Sequence, residues 1–415
     1  MIRMIVGYIL ILCLAFLMSN NKREIIAKNC RVIFLGILLQ IILCFSMVNI
    51  PSITNFFERF ADGIMILKDA TLEGTKFVFG FLGGGDVPFD ITNKNSLFIF
   101  AFQALPTVIL VSILSAILTY LKILPFISKI VGSFFRIIFR VNNYVGMISA
   151  AKILLGQFEA PLLVKHKLPD INRKGILIML SLAFSTSSAS LMPIYASAIS
   201  RVCPNSMRHM IMSSVICVIS TLIISSIIMD DNKDDDPLYD DDKNSLSERP
   251  YNSFFDAVMK GTQDGSNIWW SVVGYLIGMI SLMTIINYVL GTLPFEDKIS
   301  LQKIFGFIMY PIAWISGIDN DDINIVSGIL GTKIVVNETV AFFEMAKTSI
   351  SNHSAIICVY LMNNFGNLAC LGMTMGGLIA MCPSQKKNIS ELGMKSFITG
   401  LLATILSAII MNIFI

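Results

Sequence analysis

Charge is scarce in this chain. Only 14% of its 415 residues are charged, against 55% hydrophobic. A soluble domain cannot hide that much apolar surface, so the composition excludes an ordinary globular protein and points to a polytopic membrane protein. Histidine is rarer still: His166, His209 and His353 have no metal-ligand spacing. The eight cysteines contain no C-x-x-C pair and mostly lie in apolar segments, which reads as core packing rather than disulfides or metal. H-E-x-x-H and G-x-S-x-G are absent, as is any nucleophile paired with a base, which argues against an embedded enzyme. The formal net charge of +3 gives no reason to expect a nucleic-acid partner. No arginine cluster stands ready for a phosphate.

What is present is a series of apolar runs. A helix needs about 20 apolar residues to cross a bilayer. Intact spans are expected near 2–19, 32–50, 97–120, 207–229, 268–291 and 396–415. The first could be a signal peptide, but no A-x-A-like site follows it, so it reads as a retained span. Two more spans, 174–200 and 352–381, are broken by "FSTSSAS" and "NNFGN". Two further stretches, 143–168 and 322–348, have polar centres and read as re-entrant hairpins. With eight spans, the basic stretches after the first span, over 122–140, over 165–174 and in "PSQKKNISELGMK" fall on one side, the cytoplasm. The acidic segment 231–250 falls there too and reads as a solvated, disordered loop rather than a calcium site. Residues 51–96 read as an external interfacial helix and loop.

The expected fold is an all-α integral membrane protein of about eight transmembrane helices plus two re-entrant hairpins. Its organisation is spans and interfacial helices over 1–142, a first repeat over 143–229 and the acidic loop over 230–267. A connecting span and interfacial helix follow over 268–321, then a second repeat over 322–415. Each repeat is a hairpin, a broken helix and an intact helix. The hairpins start on opposite sides, so the repeats are inverted, which is how secondary transporters build a midplane site. Unpaired backbone survives at that depth only where it lines a cavity or meets protein or ligand.

Glu159, beside Gln157 in "LLGQFEAPLLV", and Glu338, beside Asn337 in "GTKIVVNETVAF", occupy matching places in the two repeats. A carboxylate in a membrane is expensive and marks a functional site. Asn363, Asn364, Phe365 and Asn367 come from the second broken helix. Carboxylates, amides and an aromatic face suit a neutral, hydroxyl-rich ring compound. The competing interpretation is that these groups only knit helices together, and it weighs most heavily on Asn363 and Asn364.

Three motifs in order carry a resemblance. "GQFEAPLLV" is similar to G-Q-[ST]-E-x-P-L, "GTKIVVNETVAF" to G-x-K-x-x-x-N-E-F-V-A-Y, and "NNFGNLACLGMTMGGL" to C-G-F-A-N-F-S-S-I-G-I-x-x-G-G. "KFVFGFL" (76–82) and "FAFQALPTVILVSIL" (100–114) also look like early segments of the same family. The chain resembles the concentrative nucleoside transporters, bacterial type, over nearly its full length. The resemblance implies a homotrimer in the bacterial cytoplasmic membrane. Each protomer would have a scaffold domain and a transport domain that moves like an elevator. It further implies that Gln157 and Glu159 hold the nucleobase with Phe158 beside them and that Phe365 packs on the base. Glu338 and Asn367 would hold the ribose, with Asn337, Leu191 and Cys370 completing the lining.

Departures qualify this. Phe158 stands where the family has Ser or Thr, and Cys370 where it has Ser. "LSLAFSTSSAS" replaces the usual small-residue packing around the first broken helix. Sodium-coupled members place an asparagine four residues before the hairpin glycine, a Ser/Thr in the broken helix and main-chain carbonyls nearby. Thr186 and the carbonyl of Leu155 fit, but the asparagine position is Lys152, whose ammonium cannot ligate a cation and repels one. Proton coupling or uncoupled exchange is therefore expected in preference to sodium, with no other cofactor. The alternative is that Lys152 snorkels to the cytoplasmic interface and a sodium site survives elsewhere. Among functions, the alternatives are a carrier for another small polar solute, such as a nucleobase or modified nucleoside, a channel, or a membrane enzyme.

Overall fold

The computed structural model describes residues 2–19, 22–90, 97–189, 191–229, 251–292 and 300–415. The acidic segment 231–250 lies outside them. The described residues form helices and connecting turns, with no strand among them.

Three helices open the chain: α1 (Ile2–Leu17), α2 (Lys22–Asn49) and α3 (Pro51–Phe79). Pro51 sits in the first turn of α3, where its missing N–H costs nothing. The apolar run expected as one span over 97–120 is two helices, α4 (Phe100–Gln103) and α5 (Thr107–Tyr120). Pro106 causes the interruption, because it lacks a donor and pushes the residue before it out of helical geometry. The Gln103 amide stitches the bend, donating to the carbonyls of Leu82 (3.1 Å) and Leu97 (2.8 Å). The basic stretch 122–140 is largely helix α6 (Ile123–Phe139). One face of α6 buries Leu124, Phe135 and Phe139, while Phe126, Ile130 and Ile137 face outward.

The first repeat follows. Helix α7 (Asn143–Ala151) and the short α8 (Glu159–Leu162) make the first hairpin, closed by a 3-10 turn over Lys165–Asp170. Asn142 caps α7 by accepting from the N–H of Tyr144 at 2.8 Å. The broken span is α9 (Arg173–Ser185) and α10 (Met192–Ile199); the intact one is α11 (Ser206–Ile228).

Helix α12 (Phe254–Gly291) starts well before the expected span 268–291, so the loop assigned to 230–267 ends in helix. At about 1.5 Å per residue it is far longer than a hydrocarbon core of about 30 Å. Over its later turns it exposes large apolar side chains, among them Trp270, Ile277, Ile285 and Val289. Helix α13 (Leu301–Ile315) leads to the second repeat. There the hairpin is α14 (Ile323–Val335) and α15 (Glu338–Met345), and the broken span is α16 (Asn352–Met362) and α17 (Leu368–Met381). The intact helix α18 (Lys386–Asn412) begins ahead of the expected residue 396, because "KKNISELGMK" is helical rather than loop.

Both repeats therefore have the expected order of hairpin, broken helix and intact helix. The two intact helices pack on each other at the centre, where α11 is enclosed almost completely. Hairpin 1 is pressed onto α6 with no side chain between the backbones at Gly132 and Gly146. A Cβ on Gly146 would lie 2.5 Å from the carbonyl oxygen of Gly132.

Where hairpin 2 begins, Asp319 accepts from the Ser351 hydroxyl at 2.6 Å and contacts His353 Nδ1 at 3.1 Å. His353 Nε2 meets Asn412 Oδ1 at 2.8 Å, so the start of the hairpin, α16 and the end of α18 are clasped. The Ser351 hydroxyl, aided by His353, holds the Asp319 carboxyl below the usual carboxylate range. The stability this contributes is present at neutral pH and is lost as pH falls through the lowered value.

Candidate functional site

The breaks converge. Residues 186–189 and 191 lie in the interruption of the first broken span and 363–367 in that of the second, and the hairpin turns 152–158 and 336–337 meet them. The main chains join directly, since the N–H of Ala189 donates to the carbonyl of Leu154 at 3.0 Å.

Glu338 joins the repeats. Its Oε1 accepts from the Tyr195 hydroxyl at 3.0 Å and its Oε2 from the Asn367 amide at 3.2 Å. One buried carboxylate on hairpin 2 thus touches the second half of both broken helices. Tyr195 is locked in place. Its ring stacks on Phe342 with centroids 4.7 Å apart, and its hydroxyl also meets Thr339 Oγ1 at 3.1 Å. Asn337 and Asn367 serve a second purpose as caps, accepting from the N–H of Val340 and of Cys370, each at 2.9 Å. The two asparagines start α15 and α17 at the site, which leaves the positive ends of both helices facing it.

The other acid is held differently. Glu159 is half-buried, and its Oε2 accepts from the N–H of Gly156 at 3.2 Å. Gln157 Oε1 accepts from the Thr374 hydroxyl on α17 at 3.1 Å, leaving the amide NH2 to donate. Phe365, Cys370 and Leu191 are all buried. Phe158 lies against α17 over Gly377, where a Cβ would come within 2.3 Å of its ring. Gly377→Ala is therefore expected to reduce transport several-fold, and Phe158→Ser added to it to restore much of the loss. Uptake by the single and double variants measures this.

The ion-coupling candidates are all buried. Thr186 donates its hydroxyl to the carbonyl of Leu182 at 3.0 Å. Leu155 is buried. Lys152 does not snorkel: it is 1% exposed, its Nζ has no hydrogen-bond partner among the described residues, and it lies 5.8 Å from the centroid of the Phe365 ring. The Asn364 amide is spent on structure, whereas Asn363 uses only its NH2 and its buried Oδ1 has no hydrogen-bond partner among the described residues. Asn363 donates to the carbonyl of Met210 at 2.7 Å; Asn364 donates to that of Leu361 at 2.8 Å and accepts from Lys333 Nζ at 2.6 Å.

Tyr195, Thr374 and Lys333 were not singled out from sequence. Lys333 was detectable, because a lysine inside "GILGTKIVV" is as costly as a glutamate there. Tyr195 and Thr374 were not, since one hydroxyl on an apolar helix resembles ordinary packing.

Three family matches cover the chain. Residues 6–82 match the N-terminus and 209–412 the C-terminus of a family described as Na+ dependent nucleoside transporter. Residues 101–202 match one described as nucleoside recognition. The chain belongs to the concentrative nucleoside transporter family. The nucleoside permease NupC of Helicobacter pylori is 26% identical over 99% of this chain and 97% of its own length. Human solute carrier family 28 member 3 is 25% identical over 98% of this chain and 59% of its own. CNTnw in an inward-facing substrate-bound state superposes with a TM-score of 0.86 at 23% identity, covering 100% of this chain and 98% of that one. This concentrative nucleoside transporter family member is a membrane carrier and not an enzyme, and its fold is the expected all-α arrangement with hairpins and repeats. Membership implies a coupling cation without deciding between sodium and protons.

Proposed function

We propose that this chain imports nucleosides across the bacterial cytoplasmic membrane by an elevator-type movement, with protons rather than sodium as the coupling cation. It works as a homotrimer embedded in the bilayer. The scaffold comprises most of 1–142 together with 268–321. The moving part contains 143–229 and 322–415.

The observation that carries this reading is the grip on Glu338. A carboxylate fixed between Tyr195 and Asn367 retains lone pairs for two neighbouring ribose hydroxyls. Gln157 and Glu159 then meet the base edge, and Phe365 its face. Asn337, Leu191, Phe158 and Cys370 complete the enclosure. Both hairpins and both breaks contribute, so a movement of the whole unit carries the solute without dismantling the site. Lys152 supports protons over sodium, because its buried, ionisable side chain takes the place of a neutral ligand.

A second reading is a carrier for another small polar solute, such as a free base or a modified nucleoside. Phe158 and Cys370 favour it, the first by narrowing the base end and the second by weakening a donor near the sugar.

Uptake of radiolabelled nucleosides and bases into proteoliposomes, with sodium and proton gradients varied separately, separates the readings. We expect saturable nucleoside uptake with counterflow, undiminished when sodium is omitted. Sodium-stimulated uptake would overturn the choice of ion. Uptake of bases without nucleosides would favour the second reading.

A further inference from the structure

Both hairpins carry a lysine just before the turn in the same local wording: Lys152-Ile153-Leu154-Leu155 and Lys333-Ile334-Val335-Val336. In each, the hairpin's acid follows a few residues later, Glu159 in the first and Glu338 in the second. Four ionisable groups are thereby brought to the convergence of the breaks.

A buried charge persists when hydrogen bonds hold its charged form. Three of the four have them. Glu338 accepts from Tyr195 and Asn367, and Glu159 from the N–H of Gly156. Lys333 donates to Asn364 Oδ1 at 2.6 Å, and the same oxygen accepts from the N–H of Gly366 at 3.0 Å. Lys333 is thus tied to the second break. Lys152, equally buried, has no acceptor among the described residues for any of its three possible protons. Facing it are the Phe365 ring, Glu159 from its own hairpin and the Cys217 thiol from α11. A ring face and a carboxylate beyond hydrogen-bond reach attract an ammonium without holding its protons in place.

We propose that Lys152 is the group that binds and releases the coupling proton, and that Lys333, its counterpart in the second repeat, is a positioning residue for the break at 363–367. This rests on the proton-coupled reading above. Facing outward, the amine nitrogen takes a proton from external water and an N–H bond forms. Facing inward, that bond breaks and the proton passes to internal water. No other reactant is needed. The loaded ammonium lies beside Glu159 and Phe365, the groups assigned to the base, so proton and nucleoside binding are coupled through shared neighbours.

The test uses full-length protein in proteoliposomes with radiolabelled uridine and adenosine. Two quantities are read: stimulation of uptake by an inward proton gradient, and counterflow without a gradient. Wild type is expected to be stimulated several-fold. Lys152→Met and Lys152→Arg lose that stimulation, the latter because a guanidinium does not release its proton. Lys333→Met keeps it on whatever flux remains. Stimulation surviving in Lys152→Met overturns the proposal. So does equal loss of counterflow and stimulation, which would make Lys152 a binding residue only. Wild-type counterflow without proton stimulation overturns the proposal and leaves the nucleoside reading intact. Absence of counterflow with every nucleoside overturns that reading instead, and thermal unfolding then decides the role of Lys152. The difference in midpoint between wild type and Lys152→Met should change by several degrees between roughly pH 6 and pH 9 if Lys152 exchanges a proton; a constant difference overturns it.

Discussion

Replacing Glu338 with Gln should reduce nucleoside uptake roughly 10- to 100-fold, the equivalent of one lost charge-assisted hydrogen bond of about 1.5–3 kcal/mol. The substitution keeps size and shape, so the effect reports charge and hydrogen-bond pattern rather than packing. Glu338 now accepts from both Tyr195 and Asn367, one donor on each oxygen. A glutamine offers one acceptor oxygen and one NH2, so one of the two donors faces another donor. The tyrosine hydroxyl can rotate to accept, but it then no longer donates to this side chain, and the negative charge that gripped the sugar is gone. Concentration dependence of uptake by the variant checks this. Undiminished flux would refute the assignment of Glu338 to the substrate.

Gly146→Val should damage folding rather than binding, by several kcal/mol at the upper end of overpacking costs. At this crossing the first hairpin rests on α6 by backbone alone. A Cβ on Gly146 would sit 2.5 Å from the Gly132 carbonyl oxygen, and one on Gly132 would sit 2.7 Å from the N–H nitrogen of Met147. Neither neighbour is a flexible side-chain tip that can swing aside, so α6 and α7 must separate, and the hairpin carrying Lys152, Gln157 and Glu159 moves with α7. A sharply lowered unfolding midpoint in detergent, with poor membrane yield, is the expected result. An unchanged midpoint would show that the two helices separate freely.

The hairpins and breaks were legible because a bilayer makes polarity expensive. A soluble helix carries Asn, Ser or Glu on its wet face without comment, whereas "LLGQFEAPLLV" and "NNFGNLAC" have no wet face to use. Glu159 and Glu338 were detectable on the same ground. Span boundaries were less legible. Hydropathy registers where the oil begins, not where the helix does, so α12 and α18 each start before their apolar stretch. In α4 and α5 the apolar run continues through Pro106, where the helix does not.

The sequence by itself determined the class of protein, the two repeats, the four interrupted segments and the acids within them, because each is a local violation of what lipid permits. Only the tertiary structure decided the pairings: Tyr195 and Asn367 on Glu338, Thr374 on Gln157, Asn364 on Lys333, and no partner for Lys152 among the described residues. Those depend on which helix faces reach one another across the two repeats. That is set by close packing over the whole fold and leaves no mark on the spacing of residues within any one segment.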